Sequence, residues 1–262
     1  MASTSTLSAS TVARKAAIRA QIGPELRKVA LPDSRFHYDF SSFITDFRDS
    51  TVATSRLISH PAFKAAKVIF ITPDNCLEEL RLEALNAGKI VLVTTYSIRR
   101  GFWLLDPAVI KGDIDRLKAS LLDTMEKVGR HVTLQQMKDE NLVVDLLVTG
   151  TGAVDTRTGI RFGKGHGFFD LEWAILSTLG MIRDGAQVVG FCHDCQVVDE
   201  GLEAEQFDTV CDLIVTPGGE IEVTSPQDKP TCGIMWERLE SNMLDDIPPL
   251  RELQEMQGKK IT

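Results

Sequence analysis

The sequence has no long hydrophobic run, since none approaches the roughly 20 residues that a helix needs to cross a bilayer. Its longest apolar segment, NLVVDLLVTG, has the length of a β-strand and is interrupted by Asp145. The N-terminus also lacks the apolar core of a secretory signal peptide. These absences argue against an integral membrane protein and against a secreted one.

Cysteine and positive charge are also scarce. The five cysteines are odd in number and scattered, which suits a reducing compartment better than a disulfide framework. The formal net charge of −8 argues against broad, nonspecific nucleic-acid binding, but it is compatible with a local basic pocket for an anionic small molecule. The 262 residues, 43% of them hydrophobic, can bury a core without covalent cross-links. We expect a cytoplasmic monomer or homodimer with no nucleic-acid or membrane partner.

Acidic residues are absent from the first 24 positions, which are rich in Ser and Thr and carry Arg14, Lys15 and Arg19. This composition is compatible with an organelle transit peptide. It is also compatible with a disordered tail over residues 1–10 that leads into an ordinary helix up to Val29, broken at Gly23-Pro24. We adopt the second interpretation as the prediction for the N-terminus.

The rest of the chain alternates short apolar runs with helical patterns. The runs KVIFIT, KIVLVT and VVDLLVT are nearly continuous in apolar residues, which is typical of parallel strands covered on both faces. The pattern predicts a single three-layer α/β domain over residues 11–240, with a central, mostly parallel sheet and helices on both faces. Residues 94–113 are expected to be irregular. Residues 241–262 form a C-terminal extension, either a docking helix after Pro248-Pro249 or a loose tail.

A glycine-rich stretch, RFGKGHGFFD, runs from Arg161 to Asp170 and directly precedes a helical pattern. Its glycines permit positive φ and expose successive backbone N–H groups, which together with a helix N-terminus form an anion site. Arg161 and Lys164 add full charges, so this stretch is suited to a phosphate chain. Asp170 is then placed to hold Mg²⁺, or, with Glu172, merely to complement the helix dipole after a flexible hairpin. The spacing fits neither a Walker A loop nor a Rossmann fingerprint.

The same stretch resembles the R-L-G-[RK]-G-x-G-Y-Y-D motif of the 5-formyltetrahydrofolate cyclo-ligase family, also called methenyltetrahydrofolate synthetases. Lys15-Ala-Ala-Ile-Arg19 resembles the N-terminal K-x-x-L-R of that family. Within it, His193–Asp199 and Pro230–Trp236 are most similar to the branch of methenyltetrahydrofolate synthetase domain-containing proteins. The resemblance covers about residues 14 to 240.

The resemblance implies an enzyme that uses ATP and Mg²⁺ to convert 5-formyltetrahydrofolate into 5,10-methenyltetrahydrofolate through a phosphorylated formyl group. It also implies that Lys164 and Arg161 act at the transferred phosphoryl group, and that Asp170 and Asp208 hold Mg²⁺. Nucleotide contacts are expected from Lys15, Arg19, Arg161, Phe162, Gly163, Lys164, Gly165, His166, Gly167, Phe168 and Phe169. Substrate contacts are expected from Asp74, Lys164, His166 and Phe168.

The sequence departs from the family pattern on the folate side. Phe168-Phe169 replaces the tyrosine pair, and Asp74 is the nearest acid to the folate-contacting glutamate that follows the first strand in the family. Two alternatives therefore stay open: a non-catalytic protein that binds nucleotide or folate, and an ATP-dependent enzyme acting on another pterin-like substrate. The Cys192-x-x-Cys195 spacing is interpreted as a structural strand end rather than a redox or metal site.

Overall fold

The computed structural model describes residues 9–165 and 167–258. Their strands are β1 (Val68–Ile71), β2 (Ile90–Thr94), β3 (Phe102–Leu105), β4 (Arg130–Val132), β5 (Val144–Gly150), β6 (Ala153–Asp155), β7 (Arg161–Phe162), β8 (Ile182–Phe191), β9 (Val197–Val198), β10 (Leu213–Val215) and β11 (Glu220–Glu222). Eight of these described strands form one sheet in the order β11-β10-β8-β5-β1-β2-β3-β4, and the other three form a small sheet in the order β7-β6-β9.

Helices cover both faces of the large sheet. They are α1 (Ala9–Val29), α2 (Ser50–Ser59), α3 (Pro61–Ala65), α4 (Glu78–Asn86), α5 (Asp113–Ser120), α6 (Leu134–Asp139), α7 (Phe168–Thr178), α8 (Met243–Asp246) and α9 (Pro248–Met256). Among the described helices, none combines the length and apolar character required to cross a membrane. The predicted mixed α/β architecture with helices around a mostly parallel sheet is confirmed.

The five middle strands β10, β8, β5, β1 and β2 run parallel. At the edges, β11 pairs antiparallel with β10, β3 pairs antiparallel with β2, and β4 pairs antiparallel with β3. Side chains alternate between the two faces of a strand. Ile69 and Ile71 therefore pack into one apolar cluster with α2 to α5, while Phe70 packs into a second cluster with α6, α7 and α9. This alternation explains why the β1 run is apolar at every position.

A third apolar cluster joins α1 to the small sheet. Ile18, Ile22 and Leu26 repeat every four residues along α1 and pack with Ala153 and Phe162. The predicted break at Gly23-Pro24 is wrong, because α1 continues through Pro24. A proline inside a helix costs about 3 kcal/mol, and the buried stripe on either side of it offsets that cost.

Residues 94–113, predicted to be irregular, contain β3, which pairs with β2 in antiparallel register. Helix α5 ends at Ser120 and is followed by a short 3-10 turn, Met125–Lys127. The sequence analysis also missed α6, whose start is a capping box between Thr133 and Gln136. These elements lie near the β4 edge of the sheet. The segments there are short and partly exposed, so their hydrophobic residues show little of the periodicity from which helices and strands are predicted.

The C-terminal segment forms a docked helix, which is one of the two forms considered from the sequence. Helix α9 begins at Pro248 and buries Leu250 and Leu253 completely in the cluster that also holds α6 and α7. The division of the chain at residue 240 stays a prediction. Of the predicted N-terminal tail, residues 1–8 lie outside the described residues, and α1 begins at Ala9.

Candidate active site

A cleft of about 280 Å³ lies at the edge of the sheet where the parallel strands end. Thr72 and Asp74 follow β1, Tyr96 follows β2, and Gly150 ends β5. In open α/β sheets, ligands bind beyond these carboxyl ends. The cleft is lined by every described residue that the sequence analysis assigned to a site, namely Lys15, Arg19, Asp74, Arg161, Phe162, Gly163, Lys164, Gly165, Gly167, Phe168, Phe169, Asp170 and Asp208. His166 lies outside the described residues.

The glycine loop, defined here as Gly163 to Gly167, connects β7 to α7. Gly165 has φ 111° and Gly167 has φ 66°, values that side chains disfavour. Among the described residues, the backbone N–H groups of Gly163, Lys164, Gly165 and Gly167 find no hydrogen-bond acceptor. No side chain of the described residues caps the start of α7. These donors and the positive end of the helix dipole make the loop a candidate anion site.

Helix α1 brings two cations to the cleft. Lys15 and Arg19 are four residues apart and therefore lie on one face of the helix. Arg19 Nε donates to the Gly163 carbonyl at 2.9 Å, and its guanidinium lies over the Phe162 ring at 4.9 Å. Burial lowers the pKa of Arg19 from its ordinary value. Lys15 Nζ lies 2.9 Å from Asp208 Oδ2, so the first helix is attached to both sides of the site.

Arg161 and Asp170 form a buried ion pair at the two ends of the glycine loop. Arg161 Nη2 lies 2.5 Å from Asp170 Oδ1, and the guanidinium covers the Phe169 ring at 4.4 Å. Asp170 Oδ1 also accepts from the Thr209 N–H at 2.9 Å. Burial raises the pKa of Asp170, while the Arg161 charge opposes that shift. Within the described residues, Arg161 Nε has no hydrogen-bond partner.

Lys164 lies between the anion site and the strand ends. Its ammonium donates to the Ser42 carbonyl at 3.3 Å and lies 4.5 Å from the centre of the Tyr96 ring. Burial lowers the pKa of Lys164, against the attraction of Asp74 and Glu172. This lysine is therefore a partly desolvated cation whose strongest electrostatic neighbours are carboxyl groups.

Asp74 is held by the turn that follows β1. Its Oδ2 accepts from Thr72 Oγ1 at 2.5 Å and from the Gly150 N–H at 3.1 Å. Beneath this turn, the fully buried Arg81 donates from Nη1 to the carbonyls of Thr72 at 2.9 Å and Asp74 at 3.3 Å. Arg81 Nε donates to the Ser120 carbonyl at 2.7 Å. Burial raises the pKa of Asp74.

Glu172 and Tyr96 are among the cleft residues that were not assigned to a site from the sequence. Glu172, interpreted only as a dipole partner, is 1% exposed and accepts a hydrogen bond from Thr94 Oγ1. Burial raises the pKa of Glu172 to about 8. Tyr96, assigned to an irregular segment, donates from its hydroxyl to the Ser42 carbonyl. The signal available in the sequence was the position of Glu172 inside the apolar run LEWAIL. A glutamate at such a position is unexpected, because buried glutamates are rare.

Two carboxylates in the cleft suit a divalent cation that also binds phosphate. The hydrogen bonds to Asp170 converge on Oδ1 and those to Asp208 on Oδ2, so each keeps an oxygen that bonds no described residue. No group of three or more His, Cys, Asp or Glu side chains in the described part of the chain is placed to hold a metal. Mg²⁺ commonly takes one or two carboxylates plus phosphate oxygens and waters, so this pair fits it.

The Cys192–Cys195 segment is a structural strand end. Cys192 is buried directly after β8, and burial raises its pKa well above that of an ordinary thiol. His193 Nδ1 accepts from the Cys195 N–H at 3.2 Å and so closes the turn that follows. Burial raises the pKa of Cys195 to about 11, which disfavours the reactive thiolate.

Comparison with known proteins places the chain in a family. Residues 11–217 match the family model described as the 5-formyltetrahydrofolate cyclo-ligase family. The methenyltetrahydrofolate synthase domain-containing protein of Mus musculus is 36% identical over 226 residues, covering 84% of this chain and 59% of the relative. The Homo sapiens protein of the same name is 34% identical over 225 residues, with coverage of 84% and 57%.

The chain thus spans less than two thirds of the length of these relatives. A solved structure of Aquifex aeolicus 5,10-methenyltetrahydrofolate synthetase aligns with 84% of this chain and 98% of that chain, at 19% identity and a TM-score of 0.48. The family match and the identity to the relatives confirm the resemblance carried by the glycine-rich motif. The chain belongs to the 5-formyltetrahydrofolate cyclo-ligase family.

Proposed function

We propose that the cleft catalyses the ATP- and Mg²⁺-dependent conversion of 5-formyltetrahydrofolate to 5,10-methenyltetrahydrofolate. The observation that supports this most directly is the meeting of an anion site and an acidic strand edge in one cleft, with Lys164 between them. Three separate segments supply cations to it: Lys15 and Arg19 from α1, Arg161 from β7 and Lys164 from the glycine loop. A match to a family model does not by itself require that these three segments lie in one cleft.

The anion site accounts for the triphosphate of ATP. The N–H groups of the glycine loop approach phosphate oxygens directly, and Lys15 and Arg19 neutralise the charge of the chain. Mg²⁺ would be held by Asp170 and Asp208 together with phosphate oxygens, and when bound it supplies further charge neutralisation. Arg161 keeps Asp170 in place through its ion pair.

The acidic end of the cleft accounts for the reduced folate. Asp74 and Glu172 present carboxyl groups to the donors and acceptors of a pterin ring, and Tyr96 and Phe168 supply flat apolar surfaces. The folate N5-formyl group would then lie beside Lys164, facing the terminal phosphate. This arrangement brings the formyl oxygen and the γ-phosphorus together without any covalent contribution from the protein.

In the reaction, the formyl oxygen bonds to the γ-phosphorus and ADP leaves with the electrons of the broken P–O bond. N10 then attacks the formyl carbon, its proton passes to the departing phosphate, and the C–O bond breaks to release that phosphate and the methenyl product. Phosphoryl transfer depends mainly on positioning and charge neutralisation. Lys164 and Arg161 are suited to that task, because both are largely buried and electrostatic stabilisation is stronger away from water.

The test is the appearance of the methenyl-folate chromophore when the purified protein receives 5-formyltetrahydrofolate, ATP and Mg²⁺. Lys164→Ala should lower kcat/KM by about 10²–10³-fold, the usual effect of removing one electrostatic group from a transition state. Lys118→Ala, which removes a solvent-exposed lysine of α5, should leave the rate unchanged. Absence of both chromophore and folate-dependent ADP release would reject the proposed reaction.

A second candidate function is nucleotide and folate binding without turnover. It is favoured by Phe168-Phe169, which stands where the family motif has two tyrosines and so removes two hydroxyl groups from the cleft. This candidate predicts that ATP binds in calorimetry while no ADP is released. ADP release that depends on added folate would eliminate it.

A further inference from the structure

Arg81 of α4 is a buried cation beneath the candidate active site. It is 0% exposed, although arginine is almost never fully buried unless it is paired. The acceptors of its hydrogen bonds are backbone carbonyls rather than carboxylates. Among the described residues, its Nη2 atom has no hydrogen-bond partner. A charge buried in this way lowers the stability of the fold unless its contacts offset the cost of desolvation.

The contacts of Arg81 join α4 to two other segments. Nη1 donates to the Thr72 carbonyl at 2.9 Å and to the Asp74 carbonyl at 3.3 Å, so one nitrogen binds both ends of the turn that follows β1. Nε donates to the Ser120 carbonyl at 2.7 Å, at the last residue of α5. Carbonyls in the last turn of a helix have no partner within it, so this bond also satisfies the end of α5. Arg81 therefore holds the turn against the helices that cover it.

The turn held by Arg81 carries Asp74 into the cleft. Asp74 Oδ2 is bound by Thr72 Oγ1 and by the Gly150 N–H. Asp74 Oδ1 bonds no described residue, and the side chain lines the cleft, so this oxygen is available to a ligand. The direction of this oxygen depends on the backbone of the turn, which Arg81 fixes from beneath.

Asp74 also lies between two cations. Burial raises the pKa of Asp74, and the charges of Lys164 and Arg81 oppose that rise. Lys164 lines the cleft and is free to respond to a ligand there. Arg81 is 0% exposed, so it acts on a ligand only through Asp74. The two cations therefore have different tasks.

We propose that Arg81 is a positioning residue for the reduced folate, which fixes the Asp74 carboxylate where it accepts a hydrogen bond from the pterin ring. The inference rests on the proposed function, because it takes the acidic end of the cleft as the folate site. The phosphate site lies on the glycine loop, which Arg81 does not contact among the described residues. Loss of Arg81 should therefore weaken folate binding and spare nucleotide binding.

The first test is calorimetry on the full chain with 5-formyltetrahydrofolate and, separately, with ATP and Mg²⁺. Arg81→Met keeps a long unbranched side chain but removes the charge and the donors. It should weaken folate binding by about tenfold or more, the usual effect of losing one charge-assisted hydrogen bond, and change ATP affinity by less than about twofold. An equal loss of affinity for both ligands would overturn the inference.

Lys89→Met is the matched control. Lys89 is 9% exposed and also donates to two backbone carbonyls, those of Lys64 and Ala66. It precedes β2, at the end of the sheet opposite the cleft. The control should lower stability in urea unfolding and leave both affinities unchanged. If it weakened folate binding as much as Arg81→Met, the effect of Arg81 would be a general loss of stability, and the inference would fail.

A double-mutant cycle gives a second test that does not depend on Arg81→Met folding. Arg81→Lys keeps the charge, but an ammonium lacks the fork of donors that binds three carbonyls. It should weaken folate binding by about three- to tenfold in the wild type and by less than about twofold when Asp74→Ala is also present, because no carboxylate is then left to position. Equal losses in both backgrounds would overturn the inference. Failure of the wild type to bind 5-formyltetrahydrofolate would overturn the proposed function, and this inference with it.

Discussion

At the scale of single residues, burial controls the charge of the cleft. Burial raises the pKa of Asp74 and Asp170 and lowers the pKa of Lys164, so each is biased towards its neutral form. Nearby opposite charges oppose this bias in every case. A negatively charged phosphate chain would strengthen the charged form of Lys164, so binding of the nucleotide favours the ion that phosphoryl transfer requires.

The burial of Glu172 should make the free energy of unfolding depend on pH in a measurable way. The pKa of Glu172 is raised from 4.5 to about 8, so the folded protein keeps a proton that the unfolded chain releases. The free energy of unfolding should therefore fall as pH rises between about 4.5 and 8, by at most about 1.4 kcal/mol per pH unit. Glu172→Gln should remove this contribution, as measured by urea unfolding at a series of pH values.

Other carboxyl groups also titrate between the ordinary and the raised pKa of Glu172. The test is therefore the difference between the pH profiles of the wild type and of Glu172→Gln. Burial raises the pKa of Glu205 and Asp46 as well, and these contributions persist in Glu172→Gln. Glu255→Gln, which changes an exposed carboxyl group of α9, should retain the wild-type profile. Parallel profiles for wild type and Glu172→Gln would mean that Glu172 is already ionised at neutral pH.

At the scale of elements, the parallel strands were predictable because each is covered on both faces. KVIFIT and VVDLLVT are apolar at nearly every position. This pattern can be recognised in the sequence without knowing which strands pair with them. The edge strands differ: β4 has three residues, two of them exposed, and β3 lies inside a segment rich in turns. Their assignment depends on antiparallel pairing of β3 with β2 and of β4 with β3, which is a property of the assembled sheet.

The glycine loop supports a prediction with a matched control. Gly167→Ala and Gly180→Ala both place a methyl group on a residue near φ 66°, before and after α7 respectively. Each should cost about 1–2 kcal/mol of stability, because alanine disfavours that backbone conformation. Only Gly167→Ala should also weaken ATP binding, by about tenfold, the equivalent of one charge-assisted hydrogen bond lost from the loop.

Urea unfolding and ATP titration of the two glycine variants separate these effects. Equal losses of stability with unequal losses of affinity would support the loop as the phosphate site. If Gly180→Ala weakened ATP binding as much as Gly167→Ala, the effect would come from α7 as a whole. The glycine loop would then have no special role in binding the nucleotide.

At the scale of the whole molecule, the candidate site is assembled from segments far apart in the sequence. The motif around Arg161 and Lys164 is local, so its residue types alone indicated an anion site. Lys15 and Arg19 are 142 or more positions away and entered through the family resemblance. Glu172 and Tyr96 could not be assigned, because their burial depends on how α7, β2 and the Ser42 loop meet.

The C-terminal segment, residues 241–262, is expected to contribute to the stability of the whole fold. Helix α9 buries Leu250 and Leu253 in the same cluster as Phe70 of the central strand β1 and Trp173 of α7. Deletion of residues 241–262 should therefore cost at least about 4 kcal/mol, since truncating one buried leucine typically costs about 2–5 kcal/mol. Such a loss is a large share of the roughly 5–15 kcal/mol that stabilises a typical domain.

Urea unfolding of the full chain and of the deletion variant measures this loss, and deletion of residues 259–262 alone is the control. The control should unfold at the wild-type urea concentration, because it retains all of α9. An unchanged midpoint for the longer deletion would instead make residues 241–262 an independent extension and place the domain boundary at 240.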